Sequence, residues 1–318
     1  MRFKGLENGD IIDARFAIER KLASGGRAWI YLAHDIATTD VVAVKVPRYT
    51  ASAKELQRGT HILARCQFPG VVKYRQMGTL SDGRCYLVTD WIDGPTVYKM
   101  LCDDQLPIAD ALTIAKVVAN VLAAVHAAGY MHRDIKPLNV IAPLLEGKPC
   151  AADAQVIDFD LALPIVGDES SEQLMFGKII GTPIYMAPEQ LAGRHLTPAV
   201  DVFALGAMMF SMLYGQPLGG NADDLVKATF QEISALSPFV GPFVIRRLTE
   251  PVRLPDSHAV PESVQSLLLS TLQIDPRDRP SAKEVAEFLH RHENKVRDAT
   301  LTTYHADQPR NIADLLVS

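Results

Sequence analysis

The apolar pattern of this chain changes its period near residue 95, and that change limits the possible folds more than any other feature. Before it, short segments rich in β-branched and aromatic residues are separated by turns, as in a β-sheet. After it, apolar residues recur at helical spacing. The sequence therefore predicts an α+β fold with a β-rich lobe over 1–91, a helical lobe over 92–292 and a polar tail over 293–318.

Five strands and one helix are predicted in the first lobe. The helix is expected from Ser52 to about Cys66, with Ser52 as its cap and Glu55 at the capping-box position. The strands are expected over 16–22, 29–33, 41–46, 71–77 and 84–90. In the second lobe, helices are expected over 109–128, 201–214, 222–235, 261–272 and 281–293, with a hairpin from Pro143 to Pro149.

The composition excludes several classes of protein. A formal net charge of −5 gives no general attraction to nucleic acid or to anionic lipid. The apolar run over 202–214 is shorter than the roughly 20 residues that a membrane-spanning helix needs, so we expect a buried helix and no membrane span. The 4 cysteines form no CxxC pair, and we expect reduced thiols in a cytoplasmic protein.

Several side chains that could take part in catalysis lie in one short segment, His132-Arg-Asp-Ile-Lys-Pro-Leu-Asn-Val140. It places the carboxylate of Asp134, the ammonium of Lys136 and the carboxamide of Asn139 in one loop. Such a set can accept a hydroxyl proton, neutralise a phosphate and hold a divalent ion. A second carboxylate, Asp158, follows the apolar segment Val156-Ile157, and Lys45 lies on an apolar strand upstream.

In this order the motifs resemble those of the eukaryotic-type (Hanks-type) serine/threonine protein kinase family, in the style of its bacterial members. The resemblance runs from about residue 10 to residue 292. It is carried by Val-Ala-Val-Lys45, His132-Arg-Asp-Ile-Lys-Pro-Leu-Asn139, Asp158-Phe159, Gly181-Thr-Pro-Ile-Tyr-Met-Ala-Pro-Glu189, Asp201 with Gly206, and Arg277-Asp-Arg-Pro280. It implies a two-lobed kinase fold, ATP with Mg²⁺ or Mn²⁺ as cofactors, and protein substrates.

The resemblance also implies a role for each residue of the motifs. Asp134 would orient and deprotonate the substrate hydroxyl, Lys136 would lie near the transferred phosphate, and Lys45 would hold the α- and β-phosphates. Asn139 and Asp158 would hold the metal ions. The nucleotide would contact Leu22, Gly25, Gly26, Ile30, Ala43, Lys45, Thr89, Asp90, Ile92 and Ile141, with Thr89 as gatekeeper and the backbones of Asp90 and Ile92 at the adenine edge.

Further family positions imply structural roles. Asp201 would anchor the backbone of His132 and Arg133, and Glu189 would pair with Arg279. Leu63, Tyr74, His132 and Phe159 match the regulatory apolar stack of the family.

The chain departs from the family pattern near the nucleotide. Ala23 and Ala28 replace two glycines of the glycine-rich loop, which predicts weaker nucleotide binding. Gly59 occupies the position of the glutamate that pairs with Lys45. Glu55, one helical turn earlier, either reaches Lys45 instead or leaves it without its usual partner.

A further departure is Asp158-Phe159-Asp160, in which an aspartate replaces the usual third glycine. Asp160 is interpreted either as a local turn or cap residue or as an additional metal contact. In the activation segment, Lys178 occupies the position that is usually phosphorylated, and Ser170 and Ser171 lie among acidic residues. These features argue against control by phosphorylation of this loop.

Three functions stay open at this point. The first is a serine/threonine protein kinase, for which all the chemical residues are present. The second is a pseudokinase that acts as a nucleotide-binding or scaffold domain, favoured by Ala23, Ala28, Gly59 and Asp160. The third is a small-molecule kinase of similar fold. Thr96 and Ser211 replace acidic residues that select arginine-containing substrates in the family, which argues against a strongly basic consensus. The oligomeric state is left open.

Overall fold

The computed structural model describes residues 4–24, 27–104, 106–165, 182–218, 246–257 and 259–299. The chain divides into two compact units. The first comprises Met1–Asp93 and Asp158–Ala162, and the second comprises Gly94–Ile157 and Leu163–Ser318. The predicted helix over 222–235 and the residues Gly25, Gly26, Ser170, Ser171 and Lys178 lie outside the described residues.

The first unit contains an antiparallel sheet with the strand order β1-β2-β3-β4-β6-β5. Its strands are β1 Ile11–Ile12, β2 Phe16–Ser24, β3 Ala28–Asp35, β4 Val41–Pro47, β5 Tyr74–Thr79 and β6 Cys85–Asp90. The five predicted strands are present. The sequence missed β1 because two residues carry no detectable alternation, and it placed the start of β5 three residues too early.

Alternation along β4 assigns the two faces of this sheet. Val42, Val44 and Val46 are fully buried in a hydrophobic cluster with Phe16 and Tyr86. The intervening residues, among them Lys45, point to the opposite face because successive side chains of a strand alternate. The apolar cluster therefore fixes one face of the strand in the core, and Lys45 lies on the other face.

Helix α1 runs from Thr50 to Arg65 in the same unit. The predicted cap was wrong, because the helix begins two residues before Ser52 and Tyr49 is the N-cap. The Ser52 hydroxyl accepts the Tyr49 amide at 3.3 Å and lies 2.9 Å from the carbonyl oxygen of Arg27. Ser52 thus satisfies a backbone group of the helix start from inside the first turn.

The second unit is mainly helical. Its helices are α2 Val97–Cys102, α3 Ile108–Ala127, α4 Pro188–Leu191, α5 Ala199–Tyr214, α6 Glu262–Thr271 and α7 Ala282–Ala299. Short antiparallel pairs join β7 Tyr130–Met131 with β12 Leu163–Pro164, β8 Val140–Ile141 with β11 Gln155–Val156, and β9 Leu144–Leu145 with β10 Lys148–Pro149. Single-turn 3₁₀ helices span Pro137–Asn139, Ala151–Asp153, Pro183–Tyr185 and Pro276–Asp278.

Two helices form the core of this unit. Every residue of α5 from Val200 to Tyr214 is buried, as its uninterrupted apolar sequence predicted. Helix α3 packs against α5 and α7. Among the described helices, α3 has the length and hydropathy of a membrane span, but 56% of its most apolar window is buried inside the fold. That burial is typical of the core helix of a globular domain.

The hairpin predicted between Pro143 and Pro149 is confirmed. Its strands β9 and β10 are joined by Glu146 and Gly147, whose φ angles are 51° and 78°. Positive φ at both central residues is the geometry of the tight turns that join antiparallel strands. Helix α7 continues to Ala299, beyond the predicted end at residue 293.

Candidate active site

The loop that contains Asp134 is anchored from below by a buried carboxylate. Asp201 is fully buried at the start of α5 and accepts the backbone amides of His132 at 2.8 Å and Arg133 at 2.6 Å. His126 of α3 lies at hydrogen-bond distance, 2.8 Å from its Nε2 to Asp201 Oδ2. The predicted anchor is therefore confirmed, and His126 is a further partner that sequence inspection did not identify.

The anchored carboxylate is held in its ionised form. Burial acts to raise the pKa of Asp201, but the hydrogen bond and charge of His126 and the amide of Arg133 outweigh it, so the pKa lies below its usual range. An ionised Asp201 keeps the loop in place at neutral pH.

Within this loop the structure brings together the three predicted chemical groups of the second unit. Lys136 Nζ lies 2.8 Å from Asp134 Oδ2, and Asn139 Nδ2 donates to the same oxygen at 2.9 Å. Asn139 Nδ2 also lies 2.8 Å from the backbone carbonyl of Asp134. Lys136 additionally donates to the hydroxyl of Thr182 at 3.2 Å. These contacts fix the Asp134 carboxylate in one orientation.

In the first unit, Lys45 and Asp158 form a second group. Lys45 Nζ lies 2.7 Å from Asp158 Oδ1 and 2.8 Å from Asp160 Oδ2. The Lys45 side chain is 13% exposed and that of Asp160 is 11% exposed. Lys45 therefore contacts two carboxylates in a largely dry environment.

The expectation that Glu55 reaches Lys45 is wrong. Glu55, the only acidic residue of α1, pairs instead with Arg27, whose Nη1 lies 3.0 Å from Glu55 Oε2. The alternative expectation, that Lys45 lacks its usual helical partner, is confirmed, and Asp160 contacts Lys45 instead. Asp160 does form a local turn contact as well, through its amide to Asp158 Oδ1 at 3.2 Å.

The charges of this group depend on one another. Burial acts to lower the pKa of Lys45, but the charges of Asp158 and Asp160 and their hydrogen bonds reverse the effect and raise it. Burial raises the pKa of Asp160, and Asp158 adds to this rise while Lys45 opposes it. The Lys45 ammonium therefore limits the rise in the pKa of Asp160, which reaches about 7.

Gly59 has a steric reason to be glycine. A Cβ at this position would lie 2.7 Å from the Cα of Asp160 and closer still to the carbonyl oxygen of Phe159. Arg58 also fastens the 158–162 segment to α1, through its Nε to the carbonyl of Ala162 at 3.2 Å. The helix backbone and this segment are thus in direct contact at Gly59.

Two residues of the candidate site have left-handed backbone conformations. Arg133 has a φ of 68° and Asp158 a φ of 66°. Such conformations cost a non-glycine residue about 1–3 kcal/mol and persist where surrounding contacts enforce them. Here the enforcing contacts are the Asp201 carboxylate on the Arg133 amide and the Lys45 ammonium on the Asp158 carboxylate.

Four of the predicted nucleotide residues share one face of the sheet. Ile30 pairs with Lys45, and Ala43 pairs with Thr89, so these side chains point to the same side of neighbouring strands. The face is the one opposite the buried valine cluster. In the same unit Leu22 is half-buried on β2, Ile92 is buried, and Asp90 ends β6. Ile141 belongs to β8 of the second unit.

The residues predicted to hold metal have suitable chemistry. Asp158 offers a carboxylate, and Asn139 donates through its nitrogen to Asp134, which leaves its amide oxygen as an acceptor. Mg²⁺ prefers such oxygen ligands and takes few of them from the protein when phosphates supply the others. Among the described residues, no cluster of three or more His, Cys, Asp or Glu side chains forms a self-sufficient metal site.

The predicted pair of Glu189 and Arg279 is confirmed. Two hydrogen bonds join the guanidinium to the carboxylate at 2.6 and 2.8 Å, and the Arg279 side chain is fully buried. Arg279 also donates to the backbone carbonyls of Ala199, Gln273 and Ile274. The pair therefore connects the start of α4 with the start of α5 and with the segment before α7.

Comparison with known proteins agrees with this geometry. The family model described as "Protein kinase domain" matches residues 16–289. The serine/threonine-protein kinase pkn2 of Myxococcus xanthus is 29% identical over 294 residues, which are 88% of this chain and 32% of that protein. PkaA of Streptomyces coelicolor is 29% identical over 296 residues, which are 87% of this chain and 50% of that protein.

A solved structure supports the fold. The crystal structure of a kinase domain matches with a TM-score of 0.68 at 20% identity and covers 90% of this chain and 98% of its own. The β-rich unit, the helical unit and the two groups around Lys45 and Asp134 define a protein of the two-lobed kinase fold.

The chain belongs to the protein kinase family, whose model matches most of its length. It spans about a third to a half of the length of the curated relatives pkn2, pkn3 and PkaA.

Proposed function

We propose that this chain is a serine/threonine protein kinase that transfers the γ-phosphate of Mg·ATP to protein hydroxyl groups. The observation that carries this proposal is the fixed array of Asp134, Lys136 and Thr182. Lys136 holds the Asp134 carboxylate and also contacts the Thr182 hydroxyl. A substrate hydroxyl that took the place of the Thr182 hydroxyl would lie beside a carboxylate able to accept its proton.

In this proposal Asp134 accepts the proton of the substrate hydroxyl as the substrate oxygen forms its bond to the γ-phosphorus. The bond between that phosphorus and the β–γ bridging oxygen breaks, and ADP leaves with the electron pair. Lys136 offsets the negative charge that develops on the transferred group, and Lys45 binds the α- and β-phosphates. These groups act mainly by positioning and by electrostatic stabilisation.

Asn139 and Asp158 are the residues of this chain that would hold the metal ions. A bound Mg²⁺ supplies neutralisation of phosphate charge. Their oxygen donors support this assignment, and the same donors accommodate Mn²⁺. The shared sheet face of Ile30, Ala43 and Thr89 supports their assignment to the nucleotide, together with Leu22, Asp90, Ile92 and Ile141.

The substrate is proposed to lack a strongly basic consensus. Thr96 caps α2 by accepting the amide of Lys99, and Ser211 is buried and donates to the carbonyl of Ala207. Neither position offers a carboxylate to an arginine of the substrate. We assign the lobes to 1–91 and 92–292 and the tail to 293–318. The protein would act in the cytoplasm, to which its free thiols are suited.

The test is phosphate transfer from radiolabelled Mg·ATP to degenerate peptides that carry only serine, threonine or tyrosine as acceptor. We expect labelling of the serine and threonine sets. Asp134→Asn should abolish it while leaving nucleotide affinity within about twofold, since the base does not hold the nucleotide. Lys45→Met should weaken nucleotide affinity as well. Equal labelling by the parent and Asp134→Asn would overturn the assignment of the base.

A further inference from the structure

Two departures from the family pattern lie in contact with each other. Gly59 stands where the family has a glutamate, and Asp160 stands where it has a glycine. In the structure the backbone of Phe159 and Asp160 touches α1 at Gly59. A glutamate at position 59 would have no room, because the obstructing atoms are backbone and cannot turn aside.

Helix α1 offers Lys45 no carboxylate at position 59, and Asp160, on the segment that touches Gly59, offers one instead. Asp160 Oδ2 lies 2.8 Å from Lys45 Nζ, and both side chains are nearly buried. Glu55, the acidic residue of α1, is already paired with Arg27 through an ion-pair contact of 3.0 Å and a hydrogen bond of 3.3 Å. Among the described residues, Asp158 and Asp160 are the carboxylates that contact Lys45.

We infer that Asp160 replaces the missing helical glutamate as the positioning residue for Lys45, and that Gly59 is the substitution that makes room for it. This inference rests on the proposed function, in which Lys45 binds phosphates. Asp158 is assigned to the metal there, so Asp160 is the carboxylate that stays with Lys45.

The contacts of α1 keep Asp160 at this distance. Arg58 Nη2 donates to the carbonyl of Asp160 at 3.4 Å, while its Nε donates to Ala162. These backbone contacts hold the side chain of Asp160 within reach of Lys45. A charge-assisted hydrogen bond in such a dry setting is stronger than one in water.

The inference predicts how transfer responds to four variants. Asp160→Asn keeps the shape and removes the charge, and should lower kcat/KM for Mg·ATP about tenfold or more, that is by about 1.4 kcal/mol or more. Asp160→Glu should restore part of the loss. In the Lys45→Met background, Asp160→Asn should have no further effect, because it acts through Lys45. Glu55→Gln is the matched acid-to-amide control and should stay within about twofold of the parent.

A second readout uses the protein without nucleotide. Asp160→Asn should lower the urea midpoint of the parent, since it removes a buried partner of Lys45. In Lys45→Met it should leave the midpoint nearly unchanged, because no ammonium remains for Asp160 to pair with. An equal decrease in both backgrounds overturns the inference, as does a loss of transfer in Glu55→Gln as large as in Asp160→Asn. If the parent transfers no phosphate, the proposed function fails, and the urea cycle alone still decides whether Asp160 partners Lys45.

Discussion

Gly59→Ala sets two known effects on helix stability against each other. Alanine is favoured over glycine in a helix interior by about 1 kcal/mol, so an unobstructed site would gain stability. At Gly59, however, the added Cβ would lie 2.7 Å from the Asp160 Cα, where real Cβ atoms stay beyond 3.0 Å. Forcing an extra carbon into a packed contact costs about 1–3 kcal/mol.

The net expectation is a loss of about 1 kcal/mol. For a chain of this size it corresponds to a fall in melting temperature of about 1–2 °C. Because the obstructed atoms belong to the segment that carries Asp158 and Asp160, phosphate transfer should also fall. The assay is thermal unfolding followed by circular dichroism, with transfer measured on the same samples.

The control is His61→Ala on an exposed position of the same helix, which should change neither property appreciably. A variant Gly59→Ala that is about 1 kcal/mol more stable than the parent and fully active would refute the contact between α1 and the 159–160 backbone.

Three further changes test other parts of the structure. Glu189→Gln should destabilise the protein by about 3 kcal/mol in urea unfolding, because it leaves the buried Arg279 charge uncompensated; a loss below about 0.5 kcal/mol would contradict the buried pair. The pKa of Asp201 is depressed, so its contribution to stability is present at neutral pH and is lost as the pH falls through the folded-state pKa. In Asp201→Asn the melting temperature should therefore depend less on pH in the acid range. An unchanged dependence on pH would count against this role. Gly147→Ala at the hairpin turn, where φ is 78°, should lower the melting temperature by a few degrees without changing transfer, and no change in stability would contradict the turn geometry.

The fold could be predicted from the sequence because its signals are local. The alternation of β4 and the long apolar helices α3 and α5 follow from periods of 2 and 3.6 residues. The start of α1 was misplaced because Ser52 is a strong cap residue by type, yet its hydroxyl serves the first turn from within. The preference of serine for the N-cap position was outweighed here by the hydrogen bond from the Ser52 hydroxyl to the carbonyl of Arg27.

The candidate site was predictable as a set of motifs, but not as a set of contacts. The loop of Asp134, Lys136 and Asn139 is short, so its members are close by chain connectivity alone. The partner of Lys45 is 115 positions away in sequence, and helical spacing pointed to Glu55 instead. The sequence did contain a signal, because both Gly59 and Asp160 depart from the family pattern. The two departures can be connected only once the structure shows that these positions are in contact.

The most direct test of the central claim is the intact mass of the purified chain before and after incubation with Mg·ATP and a mixture of serine and threonine peptides, beside Asp134→Asn. We expect added phosphate, on the chain or on the peptides, with the parent only. Absence of phosphate on both chain and peptides with the parent would contradict the claim that this chain is an active protein kinase, and transfer by Asp134→Asn would contradict the role given to its carboxylate.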